Sequence, residues 1–423
     1  MSQDRHTTPD PVTSAPSTAD EVAATLRDAS ERRQSVVIRG AGTKLDWGRP
    51  AGPIDLMLDM RRLNRVLAHQ HGDLTATIEA GASLRDVNRA LAAHGQWLPL
   101  DPLFAGQATI GGILATNDSG PLRHRHGAPR DLVIGIRLAT TDGVLAKAGG
   151  QVVKNVAGYD LSKLVTGSFG SLAAIVSATF KLAPLPSASK TMRVAAADPV
   201  ALGQVVRAVM ASQLEPVGFE IHVRSTQSPQ STQGNMLSAS LAAARFNVFS
   251  VLLQFASLPQ VVDAQIEQAR ALLTAGPQAC ATSIDVLDGP AEQTTWRDHS
   301  QGLWDAPGAI LRASWLPASL ASGLGELESI TAGLKACTTS LIGRAAIGAG
   351  LIRIDGDTAA QAHVIEQLRQ SATFGNVVLV RASGALKALV DVWGPQGDRA
   401  HLLASLKQAF DPNGILNAGR GPL

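Results

Sequence analysis

Glycine sets the first constraint on this chain. The stretch Gly149 to Thr179, GGQVVKNVAGYDLSKLVTGSFGSLAAIVSAT, sets Gly149, Gly150, Gly158, Gly167 and Gly170 around the only tyrosine, Tyr159. An apolar run from Leu172 to Val176 follows. Glycine takes positive φ at little cost and lets backbone come close to a neighbour or a ligand. Alone, such a stretch fits a set of surface turns as well as a cofactor cradle.

Two more glycine-bearing segments change the weight of that choice. The β-branched run Val36-Val37-Ile38 leads directly into Arg39-Gly40-Ala41-Gly42-Thr43-Lys44. A dinucleotide fingerprint would need a third glycine where Leu45 stands and a helix where Gly48, Pro50, Gly52 and Pro53 follow. That reading fails on context. What survives is either a plain turn or a loop whose amides converge on an anion. Further on, Ala108 to Gly120 alternates small and hydrogen-bonding residues with glycine (Thr109, Gly111, Gly112, Asn117, Ser119, Gly120) and reads as a loop suited to close approach. Three loops, each tied to a β-rich segment, would suit one long, anionic, partly aromatic ligand.

A chain of 423 residues exceeds what one hydrophobic core serves, so at least two domains are expected. The net charge of +2 gives no basis for a nucleic-acid partner. Two cysteines, Cys280 and Cys337, indicate a reducing, cytoplasmic setting and cannot ligate a four-cysteine iron–sulfur cluster. Residues 1–19, rich in Ser, Thr and Pro, read as a disordered tail without the apolar core of a signal peptide. No run of 18 apolar residues occurs, so any membrane association would be indirect, through partners.

Local patterns give the elements. Asp20 is expected to cap a helix over Glu21–Ser30, and Ser83 opens another with a capping box, burying Leu84, Val87 and Leu91. Asp131 to Thr140 reads as a buried strand, and Arg123 to His126 as a basic loop. Beyond Pro184-Leu185-Pro186 the composition shifts, and the order strand–helix–strand–strand–helix–strand occurs twice, over 192–287 and 309–381. This predicts an antiparallel sheet with helices on one face. Segment 224–245 reads as an insertion, and Arg399–Phe410 as a last helix.

The order GAGTK, then ATIGG with NDSG, then HG-x-x-RD, then KNVAGYDLSKL-x-x-GSFGSL, resembles the FAD-binding domain of the vanillyl-alcohol-oxidase flavoprotein family. Within that family it is similar to the FAD-binding E-type subunits of bacterial glycolate oxidase (glycolate dehydrogenase). The resemblance covers roughly residues 20–187 and the ending DPNGILNAGR, Asp411 to Arg420. It implies an α+β fold: a PCMH-type FAD-binding domain of two α+β subdomains over 20–187, then an antiparallel, ferredoxin-like α+β domain over 188–410. Residues 411–423 would return to the flavin.

The resemblance also implies site roles. Gly40, Ala41, Gly42, Thr43 and Lys44 would form the pyrophosphate loop, with Thr109, Gly111, Gly112, Asn117, Ser119 and Gly120 on its other side. Gly170, Ala174 and Ile175 would pass the adenine and ribose end, Tyr159 and Asp160 would stand in the wall near the flavin, and Asn417 would approach it from the chain's end. Ala173 stands where relatives often carry Gly, adding a methyl at the adenine site, and Ala418 where they often carry Pro. No histidine lies in Lys44 to Gly48, which points to non-covalent FAD.

Oxidation of a 2-hydroxy acid needs a base, a cation for the carboxylate, and a Cα hydrogen facing the flavin. Catalytic members carry histidine-rich motifs in the second domain. Residues 188–423 hold only His222, His299, His363 and His401, none with metal-ligand spacing to a neighbour, so no metal site is expected. Candidates for catalytic work are Arg130, Lys154, Tyr159 and Arg381, each open to a structural explanation. The resemblance then implies a flavin subunit of a glycolate-oxidising complex, partnered by a homologous flavin subunit carrying the substrate site and by an iron–sulfur subunit. The alternatives are a free-standing FAD enzyme for another 2-hydroxy acid or alcohol, and a scaffold whose FAD is structural.

Overall fold

The computed structural model describes residues 10–150, 160–225, 246–275 and 281–422. The chain divides into two compact units: one from Met1–Gly120, His126–Leu185 and Gln396–Leu423, the other from Pro121–Arg125 and Pro186–Pro395. The last helix, Arg399–Phe410, thus groups with the first unit. Among the described residues no helix is long and apolar enough to cross a membrane.

The first unit has two α+β layers. Helix Ala19–Glu31 buries Val22, Ala23, Leu26 and Ala29, one face at helical spacing. Its cap is Thr18, whose hydroxyl accepts from the Glu21 amide at 3.2 Å. The expected cap, Asp20, lies instead in the first turn, where its charge still suits the helix dipole. This helix shares a core with a parallel three-stranded sheet, in which Leu56–Asp59 runs between Val12–Ser14 and Val36–Arg39. The second layer is a five-stranded antiparallel sheet ordered Val66–Gln70, Thr75–Glu79, Ala174–Lys181, Val133–Ala139, Leu145–Gly149. Helix Leu84–Ala92, capped by Ser83, packs Leu84, Val87 and Leu91 into the core beside this sheet.

Two loop expectations become helical, and the strand expected over Asp131 to Thr140 begins later, at Val133. Ile110–Thr116 is a helix despite Gly111 and Gly112, because Ile110, Ile113 and Leu114 form a buried i, i+3, i+4 face. Pro129–Leu132 forms a helical turn before the strand Val133–Ala139, with Pro129 at its first position. Arg123–His126 is a helical turn as well.

In the second unit eight strands form one antiparallel sheet. Its order is Ser283–Leu287, Ala188–Ala196, Val248–Ser257, Gly218–Arg224, Thr338–Arg344, Ala349–Asp355, Ala309–Trp315, Phe374–Arg381. Numbered within each repeat, the order is 4-1-3-2 followed by 2-3-1-4. Two ferredoxin-like units are therefore joined through their second strands. Alternation sends Phe219, Ile221 and Val223 into an apolar core with helices Pro199–Met210, Pro259–Thr274, Leu320–Thr331 and Thr358–Gln370. It sends Glu220 and His222 to the opposite face.

The chain's end is bound into the first unit. The Val36 amide donates to the Ile415 carbonyl at 2.8 Å, and the Asn417 amide to the Val36 carbonyl at 2.9 Å. Asp411, 1% exposed, accepts from the amides of Ile415 (3.1 Å) and Leu416 (2.8 Å) and from Lys407 Nζ (2.6 Å). Lys407 also donates to the carbonyls of Ser171 and Leu416, each at 2.9 Å. Lys407→Met leaves a buried carboxylate without its cation and is expected to cost about 3–5 kcal/mol. The double variant Lys407→Met/Asp411→Asn should cost less than the sum of the single changes, read from denaturant midpoints.

Candidate functional site

Strand Val36–Arg39 delivers the loop Gly40–Leu45 to the wall of a cavity of about 570 Å³. A second cavity of about 430 Å³ adjoins it, and Ile38, Gly40, Thr109, Gly112, Ala115, Phe169 and Asn417 line both. A methyl on Gly40 would overlap Thr109 Oγ1, so the bare Cα is what lets the loop lie against the Ile110–Thr116 helix. Gly42 has φ of +79°, a backbone that side chains rarely adopt. Among the described residues, the amides of Ala41, Gly42 and Thr43 make no hydrogen bond.

The far wall is the turn Gly167–Gly170. Its amides at Gly167 and Phe169 donate to the carbonyls of Leu114 (2.9 Å) and Ala115 (2.8 Å), closing the end of the Ile110–Thr116 helix. Phe169 (φ 56°) and Asn417 (φ 44°) both hold the left-handed conformation, and Asn417 Nδ2 donates to the Phe169 carbonyl. The Asn417 Oδ1 atom is buried without a partner among the described residues. Arg420 donates to the Leu45 carbonyl, fixing the loop's exit to the tail.

The remaining site candidates are placed as follows. Thr43 and Lys44 line the first cavity, but the Lys44 ammonium is paired with Asp118 at 3.2 Å and donates to the Leu103 carbonyl at 3.1 Å. Gly111, Gly170 and Ile175 line the second cavity, as does Ala173, whereas Ala174 lies in the core beneath. Asn117 ends the Ile110–Thr116 helix at φ 47°, half-buried Ser119 follows, and the Gly120 amide donates to Asp101 Oδ1 at 3.0 Å. Asp160 is exposed and caps helix Leu161–Val165. Arg130 is exposed on its helical turn. Arg381 donates to the carbonyls of Trp304 (2.8 Å) and Gly308 (3.3 Å) and lies over the Trp304 ring, holding that loop. Lys154 and Tyr159 lie outside the described residues.

The second unit contains a polar centre that spacing rules passed over. Glu220 faces Arg344 directly across the strand pair that joins the two repeats. Its Oε2 lies 3.1 Å from His299 Nε2, and its Oε1 lies 3.5 Å from Arg344 Nε. Glu220 and His299 are 1% and 3% exposed, so this is a buried charged cluster. A carboxylate can only accept, so His299 donates through Nε2–H. Its Nδ1 is buried and has no partner among the described residues. His299 comes from helix Gly289–Gln301, whose Glu292 accepts from Ser189 and Thr191, each at 2.7 Å. His222 lies nearby, with ring centroids 5.7 Å apart from His299. The sequence signal was the alternation Glu220-x-His222-x-Arg224, charged positions inside a strand otherwise apolar.

Comparison with known proteins points to the cofactor. Residues 11–149 match the family described as FAD binding domain, and residues 393–420 match FAD linked oxidases, C-terminal domain. Glycolate oxidase subunit GlcD of Bacillus subtilis is 34% identical over 49% of this chain and 44% of its own length. Glycolate oxidase subunit GlcE of Escherichia coli is 34% identical over 45% of this chain and 53% of its own. The chain thus spans about half the length of these curated relatives. A D-2-hydroxyglutarate dehydrogenase of Xanthomonas citri is 28% identical over 98% of this chain and 90% of its own length. A solved alkyldihydroxyacetonephosphate synthase superposes with a TM-score of 0.68 at 17% identity, covering 96% of this chain and 76% of that one, which shows the shared fold.

These matches give the chain an FAD-binding domain and indicate FAD as its cofactor, and the solved structure shows the shared fold. D-type and E-type subunits match it at the same identity, so the comparisons do not choose between subunit types. The residues present fit the cofactor. Unpartnered loop amides suit a pyrophosphate, the bare Cα of Gly40 lets their loop close against Thr109, and the orphaned Asn417 oxygen offers an acceptor to a ring N–H.

Gly42→Val should lower the flavin-to-protein absorbance ratio of the purified chain, since backbone strain of about 1–3 kcal/mol opposes closure of the loop. Gly52→Ala, where an added methyl meets nothing within 4 Å, should retain full flavin.

Burial, the neighbouring His299 and Arg224 push the His222 pKa down to about 4. Between that value and the ordinary 6.5, the unfolded chain binds the proton more readily than the fold does. Stability is therefore full above about 6.5 and falls as pH drops toward 4, by on the order of 3 kcal/mol from this group. Thermal melts of His222→Gln should show a shallower loss from pH 7 to pH 5 than the parent.

Proposed function

We propose that this protein uses non-covalent FAD to oxidise a small 2-hydroxy acid, with glycolate as substrate, inside a complex that passes the electrons to partner subunits. The observation that carries this reading is the adjoining pair of cavities, built from Gly40–Lys44, the Ile110–Thr116 helix, the Phe169–Gly170 turn and Asn417. Ala41, Gly42 and Thr43 would present amides to the pyrophosphate, with Thr109 and Gly112 closing its other side. Asn117, Ser119 and Gly120 would continue that wall, and Tyr159 and Asp160 would flank the flavin. Gly170 and Ile175 would pass the adenine end, with Ala174 supporting them from the core beneath. Lys44 serves the site through Asp118, holding the loop in place. The partners on this reading are a homologous flavin subunit with its own substrate site and an iron–sulfur subunit, because two cysteines cannot hold a cluster.

A second reading is favoured by the similarity to a D-2-hydroxyglutarate dehydrogenase over 98% of this chain. Bound FAD would supply a two-electron acceptor. On this reading the protein turns over a 2-hydroxy acid alone, as the full-length similarity to a D-2-hydroxyglutarate dehydrogenase suggests.

One experiment separates the two. Glycolate, D-lactate and D-2-hydroxyglutarate are added anaerobically to the purified flavin-bearing chain. Bleaching without partners establishes the self-contained enzyme. Bleaching only after partner subunits are added establishes the accessory role. A chain that purifies without flavin and takes none up sinks both.

A further inference from the structure

The first unit holds a histidine cluster to which none of the cavity-lining residues belongs. His69 lies on the edge strand Val66–Gln70, and His71 opens the turn His71–Asp73 that reverses the chain into Thr75–Glu79. His94 stands in the turn after helix Leu84–Ala92, just ahead of Gly95 at φ +64°. The three elements bring one ring nitrogen of each histidine to within 4.8 Å of the others. Ring centroids are 4.6 Å apart for His69–His71, 5.1 Å for His69–His94 and 3.8 Å for His71–His94, the last pair stacked.

We propose that His69, His71 and His94 bind a divalent transition-metal ion of the zinc class, through three imidazole nitrogens, with water in the fourth position. Imidazole nitrogen is a preferred ligand for such ions, and three of them with an open place form a recognised tetrahedral set.

The residue behind the cluster supports the assignment. Gln96, 8% exposed, donates its Nε2 to the His71 carbonyl at 2.9 Å, which fixes which way its amide points. Its Oε1 then faces His69 Nε2 at 2.8 Å and can only accept. His69 is thereby held as the Nε2–H tautomer, with the lone pair on Nδ1. A ligating histidine anchored through its other ring N–H is the usual outer-shell arrangement at metal sites. His71 and His94 are exposed, so an ion can reach them and their rings can turn. Coordination at about 2.0–2.1 Å requires ligand atoms about 3.3 Å apart, so those two rings leave their stack when the ion binds.

The test uses the full chain without a polyhistidine tag, stripped with EDTA and titrated with zinc chloride by calorimetry at pH 7.5. The expected result is one equivalent bound by the parent that is missing in both His71→Ala and His94→Ala, with flavin content unchanged. Gln96→Leu is expected to keep the site but weaken it about 10–100-fold. Zinc should raise the melting temperature of the parent and not of His94→Ala, which shows at the same time that the variant is folded. A parent that binds no zinc at micromolar concentration, or histidine variants that bind it as the parent does, would overturn the proposal.

Discussion

The candidate FAD site exists because the end of the chain returns to the strand that begins it. Val36 exchanges backbone hydrogen bonds with Ile415 and Asn417, and the strand it opens ends at the Gly40 loop. The same tail carries Asn417 to the opposite wall, against Phe169. The long excursion between the two costs little more than a short one, because loop-closure entropy grows only logarithmically with length. What must be supplied is local fixation. The Lys407–Asp411 pair gives it, tying the tail's amides and carbonyls to one buried ionic contact. The cavity walls thus depend on an interaction that touches no ligand.

The second unit solves a different problem by the same economy of contacts. A ferredoxin-like unit ends in an exposed second strand, and joining two such units through those strands removes both edges. The join sets Glu220 of one repeat opposite Arg344 of the other. Burying these charges carries a desolvation cost that the hydrogen bonds to them must offset. The helix between the repeats, Gly289–Gln301, contributes His299 to that centre and Glu292 to a neighbouring one.

How much of this was legible in the sequence depends on how local the cause is. Element order in the second unit follows from alternation and helical spacing, which survive without tertiary information. The Gly40 loop was readable because strand, glycines and breakers are adjacent. The Ile110–Thr116 helix was not, since two glycines outweigh a seven-residue apolar pattern until the core that buries it is known. Thr18 and Asp20 are both good caps, and only the backbone geometry chooses between them. The His69–His71–His94 group was invisible because its third member depends on how a helix turn packs beside a strand turn. His299 was named and set aside because its partner, Glu220, lies on another element 79 positions away.

The position of Lys44 bears on how the loop would hold an anion. A lysine at the end of a glycine loop suggests direct charge attraction to phosphate, yet its ammonium is committed to Asp118 and to the Leu103 carbonyl. The pair is nearly neutral as a unit, so the loop's pull on an anion comes from oriented amides rather than a net charge. Amide dipoles act at short range and reward an exact backbone shape. That is why Gly42 at positive φ and the bare Cα of Gly40 matter more here than the +2 charge of the whole chain. Recognition by shape also suits a cofactor held without a covalent bond, since the loop must be formed before the ligand arrives. The tail's fixation through Asp411 is what keeps it so.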